Sequence, residues 1–397
     1  MSVSKINKAA IDMRLDPRIR KAFQDFPHLF GGSSGKDEKD NANTQPEKIF
    51  NTWEEVVADS KQGAMKRFNE IKDLPTPKTD PKVKKMWSKE GLHIETLTFQ
   101  SKPDNNTVKI MFTKPTRSPY ATQTPYPCVY YIHGGGMAVG SGFDPTYKMI
   151  SRLLARFGNV AVCSVDFRNC TTPSITNQEI APFPAGLNDC YYGLKYIYEN
   201  AKALGIDPNQ ICVAGESGGG NLTIAVALKC KMENTLKYMN SGFYSLCPYI
   251  AGIWPQEVKA RKSYFDNDET ILGTSHLNDE NNGIWLTMGG NTNSAMGYGI
   301  KAFNERNPLA WPGFATTKDL EGLPRCVISV NECDPLRDEG INFYRRCLKA
   351  GVHARCRNVM GTPHGGDLMA GFVPDIALET VRSIANFTKI DNKDAKL

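Results

Sequence analysis

Three side chains in this 397-residue chain have the types and the order for covalent acyl-transfer chemistry: Ser217, Asp334 and His364. Ser217 stands in Gly215-Glu216-Ser217-Gly218-Gly219-Gly220, between a short apolar run that reads as a buried strand and a segment with helical spacing. A serine at the apex of so sharp a turn needs very small neighbours, and Gly215 and Gly219 supply them. Such a turn lifts Oγ above the carboxyl edge of a sheet. It also aims the next N–H, and the positive end of a helix dipole, at the place where an attacked carbonyl gains charge. A glycine-rich turn that cradles a phosphate has the same local composition, so this segment alone leaves both chemistries open.

Serine attacks a carbonyl only when a base takes its proton, and the six histidines are His28, His93, His133, His276, His353 and His364. His364 lies in Met360-Gly361-Thr362-Pro363-His364-Gly365-Gly366-Asp367, directly after the last predicted strand and so at the same sheet edge as Ser217. His353 precedes that strand and is expected at the opposite end, on the surface. His28 and His276 fall in helical and inserted regions, as solvated or packed residues. An orienting carboxylate should also follow a strand at this edge, and "VISVNECDPLRDEG" puts Asp334 there. Glu332, at the strand end, and Asp338, at the start of the next helix, are its rivals.

The fourth element is His133-Gly134-Gly135-Gly136 after the run "CVYYI", a loop whose unhindered N–H groups can face an oxyanion. Gly134, Gly136 and Gly140 are also loosely spaced like a dinucleotide fingerprint, with Asp166 as the acidic residue ending the next strand. A nucleotide site does not account for GESGG, DPLRD and PHGG together. His133 itself is expected to hold the loop by hydrogen bonds.

These residues need a rigid sheet beneath them. From Gly91 the segments "LHIETLTFQ" and "TVKIMFTKP" alternate as strands of an antiparallel edge. Denser apolar runs follow in "CVYYIHGGG", "VAVCSVDFR", "QICVAGES", "GFYSLCPYI", "RCVISVNECD" and "ARCRNVMG". They suit a mostly parallel sheet covered on both faces. Helical spacing fills the gaps at Tyr147 to Phe157, Phe183 to Leu204, Asn221 to Met232, Asp338 to Ala350 and Asp375 to Thr388, with Gly205 and Gly351 as caps. The fold class is therefore α/β, a doubly wound sheet. Residues 251–320 break the alternation and read as an insertion. Residues 1–90 read as helical segments broken by a polar, mobile stretch from Gly31 to Lys48.

Charge adds exclusions. Lys and Arg total 48 against 42 acidic residues, and the resulting +6 is scattered, so no nucleic-acid partner is expected. Eleven cysteines without a CxxC pair, and an N-terminus without the apolar core of a signal peptide, point to reduced thiols in the cytoplasm. No apolar run is long enough for membrane insertion.

The motifs HGGG, GESGGGNL, NPLAWPGFATTKDLEGLP, ECDPLRDEG and PHGG stand in the order and approximate spacing of a known family. Over residues 90–390 the chain resembles the hormone-sensitive-lipase-like (bacterial family IV type) carboxylesterases of the α/β-hydrolase superfamily, which share its Ser, Asp, His order. The resemblance implies Ser217 as nucleophile, Asp334 as acid, His364 as base, and an oxyanion hole from the amides of Gly134, Gly135 and Gly218. It implies an eight-stranded, mostly parallel sheet under a helical cap, divided as residues 1–90 (cap), 91–250 (core), 251–320 (cap insertion) and 321–397 (core). The expected activity is hydrolysis of esters of small, fairly apolar substrates through an acyl-enzyme, with no cofactor and no metal. An acyltransferase or a lactone or amide hydrolase would use the same triad, and a non-catalytic receptor the same fold. A small-molecule ester is the expected partner, and a homodimer is left open. Three positions depart from the family pattern. Gly218 replaces a frequent alanine and is expected to loosen the turn, the stretch Phe167 to Ala185 is longer and altered, and Trp311 stands where serine is frequent. Trp311 is expected to pack the cap rather than narrow the pocket.

Overall fold

The computed structural model describes residues 8–26, 52–59, 86, 88–116, 125–252, 280–286 and 291–389. His28, His276 and the polar stretch from Gly31 to Lys48 lie outside them.

The apolar runs form the strands β1 (Leu92–Gln100), β2 (Thr107–Pro115), β3 (Tyr126–Ile132), β4 (Ala161–Asp166), β5 (Ile206–Glu216), β6 (Gly242–Leu246), β7 (Cys326–Cys333) and β8 (Ala354–Pro363). They make one eight-stranded sheet in the order β1-β2-β4-β3-β5-β6-β7-β8. β2 pairs antiparallel with β1 and β4, and every other pairing is parallel. All seven residues of β3 are buried because successive side chains enter opposite cores. Tyr130 and Ile132 pack with Ile211, Val213, Ile328 and Val330, whereas Val129 and Tyr131 pack with Cys212, Ala214, Tyr244 and Val327. A strand buried on both faces has no place for polar alternation, which is why these runs are apolar throughout.

The helices include α1 (Pro17–Asp25), α2 (Pro145–Gly158), α3 (Ala185–Glu199), α4 (Gly218–Met232), α5 (Asn291–Asn304), α6 (Arg337–Lys349) and α7 (Pro374–Thr388), with single turns at Lys8–Ile11, Ala201–Leu204 and Thr317–Leu320. Leu194 of α3, Leu222 of α4 and Phe343 of α6 cover one sheet face; Leu153 of α2 and Ile384 of α7 cover the other. The helix expected from Phe183 begins only at Ala185, because Pro184 disfavours helical backbone in the residue before it. It is also interrupted at Asn200, before the short turn that Gly205 closes at φ 72°. Gly351 follows α6 at φ 74°, the left-handed cap its position called for.

A third cluster joins Leu15, Ile19 and Phe23 near the N-terminus to Ile284 of the insertion and to Cys333 and Val373 of the core. Trp285 packs against it, edge-on to Phe23 at 5.7 Å. The inserted helical region therefore meets the sheet beside the carboxyl end of β7, where the loops of interest emerge.

Candidate active site

At the end of β5 the chain turns into α4 through Ser217, whose φ of 58° and ψ of −119° no ordinary strand or helix residue adopts. Neighbouring loops hold the turn. The Ser217 N–H donates to Leu246 O at 2.9 Å, and its carbonyl accepts from Asn221 N at 3.0 Å and from Tyr249 N at 3.1 Å. A Cβ on Gly215 would lie 2.6 Å from Gly219 O, so the small neighbours are a steric requirement. Gly218 is equally constrained: a Cβ there would stand 2.7 Å from Gly136 N and 2.6 Å from Met137 N. The glycine expected to loosen the turn instead admits the glycine-rich loop against the N-terminus of α4.

His364 follows β8, and its Nδ1 donates to Asp334 Oδ2 at 2.8 Å; the two side chains are 8% and 0% exposed. Burial opposes charge on the imidazole, but the Asp334 carboxylate and the Cys247 sulfur outweigh it and hold its pKa well above the ordinary histidine value. The rival carboxylates are engaged elsewhere: Glu332 accepts from Gly361 N at 2.8 Å, and Asp338 pairs with Arg337 at 2.8 Å. His353 is exposed before β8, where its carbonyl accepts from the first residue of β7. His93 lies on β1, 3.0 Å from Glu95.

Two buried asparagines, absent from the sequence expectations, hold this pair. Asn331 donates to Thr362 Oγ1 at 2.7 Å and Asp367 Oδ1 at 2.9 Å, and accepts from Gly365 N at 3.2 Å, which clamps both sides of His364. Asn281 of the insertion donates to the carbonyls of Glu332 at 2.9 Å and Asp334 at 3.1 Å, and accepts from Arg14 at 2.9 Å.

Among the described residues no hydrogen bond joins Ser217 Oγ to the His364 ring. The end of β6 links their surroundings. Leu246 accepts from the Ser217 amide, and Cys247, next in the chain at φ 33°, donates its N–H to Ser329 O at 2.7 Å. Ligand atoms of Cys247, Asp334 and His364 lie within 4.8 Å of one another, the one group with metal-ligand spacing among the described residues. Two of its three members are the expected acid and base, so that donor set does not lie apart from the triad. Burial pushes the Cys247 thiol up. The run "GFYSLCPYI" pointed to this edge, but a cysteine in an apolar run reads as core.

The glycine loop requires one correction. The Gly134 N–H, expected to face an oxyanion, is buried and donates to Glu216 Oε1 and to Tyr147 OH, both at 2.9 Å. Gly135 and Gly136, at φ 104° and 62°, donate their N–H groups to no acceptor among the described residues. His133 has the structural place expected of it: its ring stacks on Phe167 at 4.2 Å and Nδ1 donates to Gly134 O at 2.8 Å. Asp166 is buried under donors from Ser141, Gly142, Ser174 and Thr176, so its carboxylate is enclosed by protein rather than presented to a ribose.

Trp311 is fully buried, edge-on to Tyr249 at 5.3 Å and Tyr298 at 5.4 Å. It packs, as expected, beside a tie in which Asn221 of α4 donates to Tyr249 O after β6 at 2.9 Å and to Ala310 O at 3.0 Å.

Comparison with known proteins adds an independent line. Residues 129–367 match the family model described as alpha/beta hydrolase fold. The chain is 30% identical to an arylesterase of Saccharolobus solfataricus over 244 residues, 59% of this chain and 67% of that protein. The solved structure of esterase Est22 superposes with a TM-score of 0.79 at 42% identity, covering 96% of this chain and all of that one. Brefeldin A esterase, described as a bacterial homologue of human hormone-sensitive lipase, superposes at a TM-score of 0.73 and 29% identity, over 95% of this chain and 94% of its own.

Proposed function

Since the chain belongs to the α/β-hydrolase family and is an esterase-type serine hydrolase related to the Est22 and hormone-sensitive-lipase-type carboxylesterases, we propose that Ser217, His364 and Asp334 form its catalytic triad. The observation that carries this assignment is the 2.8 Å contact between His364 and Asp334 at the sheet edge where the Ser217 turn emerges. Ser217 Oγ attacks the ester carbonyl as His364 Nε2 takes its proton; the alkoxide leaves with that proton; a water, deprotonated by the same nitrogen, then releases the acid. The Asp334 carboxylate holds Nδ1–H and balances the transient imidazolium. Catalytic hydrogen bonds of this kind are often long or poorly aligned in the free enzyme and tighten when substrate binds.

The donors facing the developing oxyanion are the N–H groups of Gly135, Gly136 and Gly218. The first two have no acceptor among the described residues, and the third opens α4, where first-turn amides have no partner in the helix. The likeness to esterase Est22, one solved structure of which holds p-nitrophenol, supports small, fairly apolar substrates. It also makes p-nitrophenyl esters the natural probes. The eleven cysteines form no disulfide, in keeping with work in a reducing compartment such as the cytoplasm. Among the described residues no helix is long and apolar enough to cross a membrane.

The test is Ser217→Ala, assayed with p-nitrophenyl esters of rising acyl length and with a fluorophosphonate that labels the nucleophile. Turnover should fall by roughly 10³-fold or more with the fold intact, and the label should map to Ser217. Full activity in the variant, or a label elsewhere, refutes the assignment.

A further inference from the structure

Glu216, the residue before Ser217, carries a buried carboxylate on which three donors converge. Oε2 accepts from Tyr131 OH at 2.7 Å. Oε1 accepts from Tyr147 OH and, at 2.9 Å, from the Gly134 N–H. That N–H also lies 2.9 Å from Tyr147 OH, so carboxylate and phenol share it. Gly134 is pressed onto the acid, since a Cβ there would stand 2.5 Å from Oε1. The geometry follows from the sheet: β3 and β5 are parallel neighbours with Ile132 opposite Gly215, so the glycine loop and the Ser217 turn leave side by side.

Burying a carboxylate is unfavourable unless several donors satisfy it, and ending a strand does not require one. The arrangement serves the loop. The donors of Gly135 and Gly136 have no acceptor among the described residues to fix them, so their direction depends on how the loop is held at its ends. One hold is the close packing of Gly136 on Gly218; the other is the Gly134 N–H on Glu216.

We propose that Glu216 is a positioning residue for the oxyanion donors, fixing the first amide of the glycine loop so that the next two face the carbonyl attacked by Ser217. This rests on the assignment of Ser217 and of the Gly135, Gly136 and Gly218 amides made above. Glu216 touches no reacting atom and acts through Gly134. Burial raises its pKa to about 7 against the pull of Tyr147, Tyr131 and the Gly134 N–H, the donors that favour the carboxylate.

Transition-state donors displaced by a fraction of an ångström should lower kcat and leave KM nearly alone. Glu216→Gln is expected to lose about 10- to 100-fold in kcat, and Tyr147→Phe about 3- to 10-fold, with KM within about threefold of the parent. A trifluoromethyl ketone, which adds to the serine and places an alkoxide in the hole, should bind each variant more weakly by the factor lost in kcat/KM. Unchanged kcat and unchanged ketone affinity overturn the inference, as does a rise in KM at constant kcat. If Glu216→Gln fails to fold, Tyr147→Phe decides by the same criteria. Ser217→Ala separates the two levels: if that variant stays active, the nucleophile assignment falls and this inference with it. If it is dead while Glu216→Gln matches the parent, only the role of Glu216 is lost.

Discussion

Gly136 N lies 2.7 Å from the position that a Cβ on Gly218 would take. Alanine is frequent at this position in the hormone-sensitive-lipase-like family, yet here the methyl group would push the glycine loop off the start of α4. Gly218→Ala should therefore lower kcat/KM by at least about 10-fold and stability by about 1–3 kcal/mol. Steady-state kinetics and urea unfolding test this together, and a variant as active and as stable as the parent would show that the loop yields freely.

The imidazole must be neutral to accept the serine proton, and Asp334 and Cys247 hold its pKa well above the ordinary value despite burial. The rate should accordingly climb with pH along a limb centred above about 6.5. Asp334→Asn should bring that limb down and reduce kcat on the order of 10³- to 10⁴-fold. A parent limb at or below the ordinary histidine value would contradict the geometry. The raised value also favours the folded state at low pH. That contribution is whole below the unfolded histidine value and is lost as pH climbs through the folded one.

Burial raises the pKa of Glu216 to about 7 in the folded chain, against 4.5 for an unperturbed glutamate. Between those values the folded state binds more protons than the unfolded one, so stability falls as pH rises, by on the order of 3 kcal/mol. Glu216→Gln has no such proton to lose. Urea unfolding from pH 4 to 8 should show a smaller decline for the variant than for the parent, and parallel curves would rule the effect out.

Asn331 bonds to Thr362, Gly365 and Asp367 around His364. Asn331→Ala leaves these buried groups short of partners, at a cost of about 1–3 kcal/mol. Turnover should drop as well, because His364 loses its lateral clamp, and Asn331→Asp, which keeps the acceptor for the Gly365 N–H but sets a carboxyl against Asp367, should lose at least as much. Thermal melts and kcat for both variants decide; parent-like turnover in both would make the site insensitive to the clamp.

What the sequence revealed and what it hid divide along a physical line. β1 and β2 match their predicted limits from end to end, since apolar residues such as Val108, Ile110 and Phe112 recur at a period of two in the sequence. Ser217 was marked by its glycines, and Asp334 and His364 by their places after strands. Which of three consecutive glycines has a free N–H was not legible, because a side chain from another strand, Glu216, decides it. Cys247, Asn281 and Asn331 were missed for a related reason. Their types are ordinary in a core, and only the fold shows that Cys247 and Asn281 touch the base and the acid and that Asn331 holds the loop on either side of the base. The absent Cβ of Gly218 read as slack for want of its neighbour, the Gly136 backbone.

Arg14, Asn281 and the carbonyl of Asp334 form a chain of contacts from the N-terminal segment, through the insertion, to the acid. Anyone exchanging the upper part of this enzyme for that of a relative, to change what it accepts, would cut that chain unless both partners travelled together. A graft that respects the pair leaves the carboxylate undisturbed; one that splits it alters the chemistry while intending only to alter the doorway.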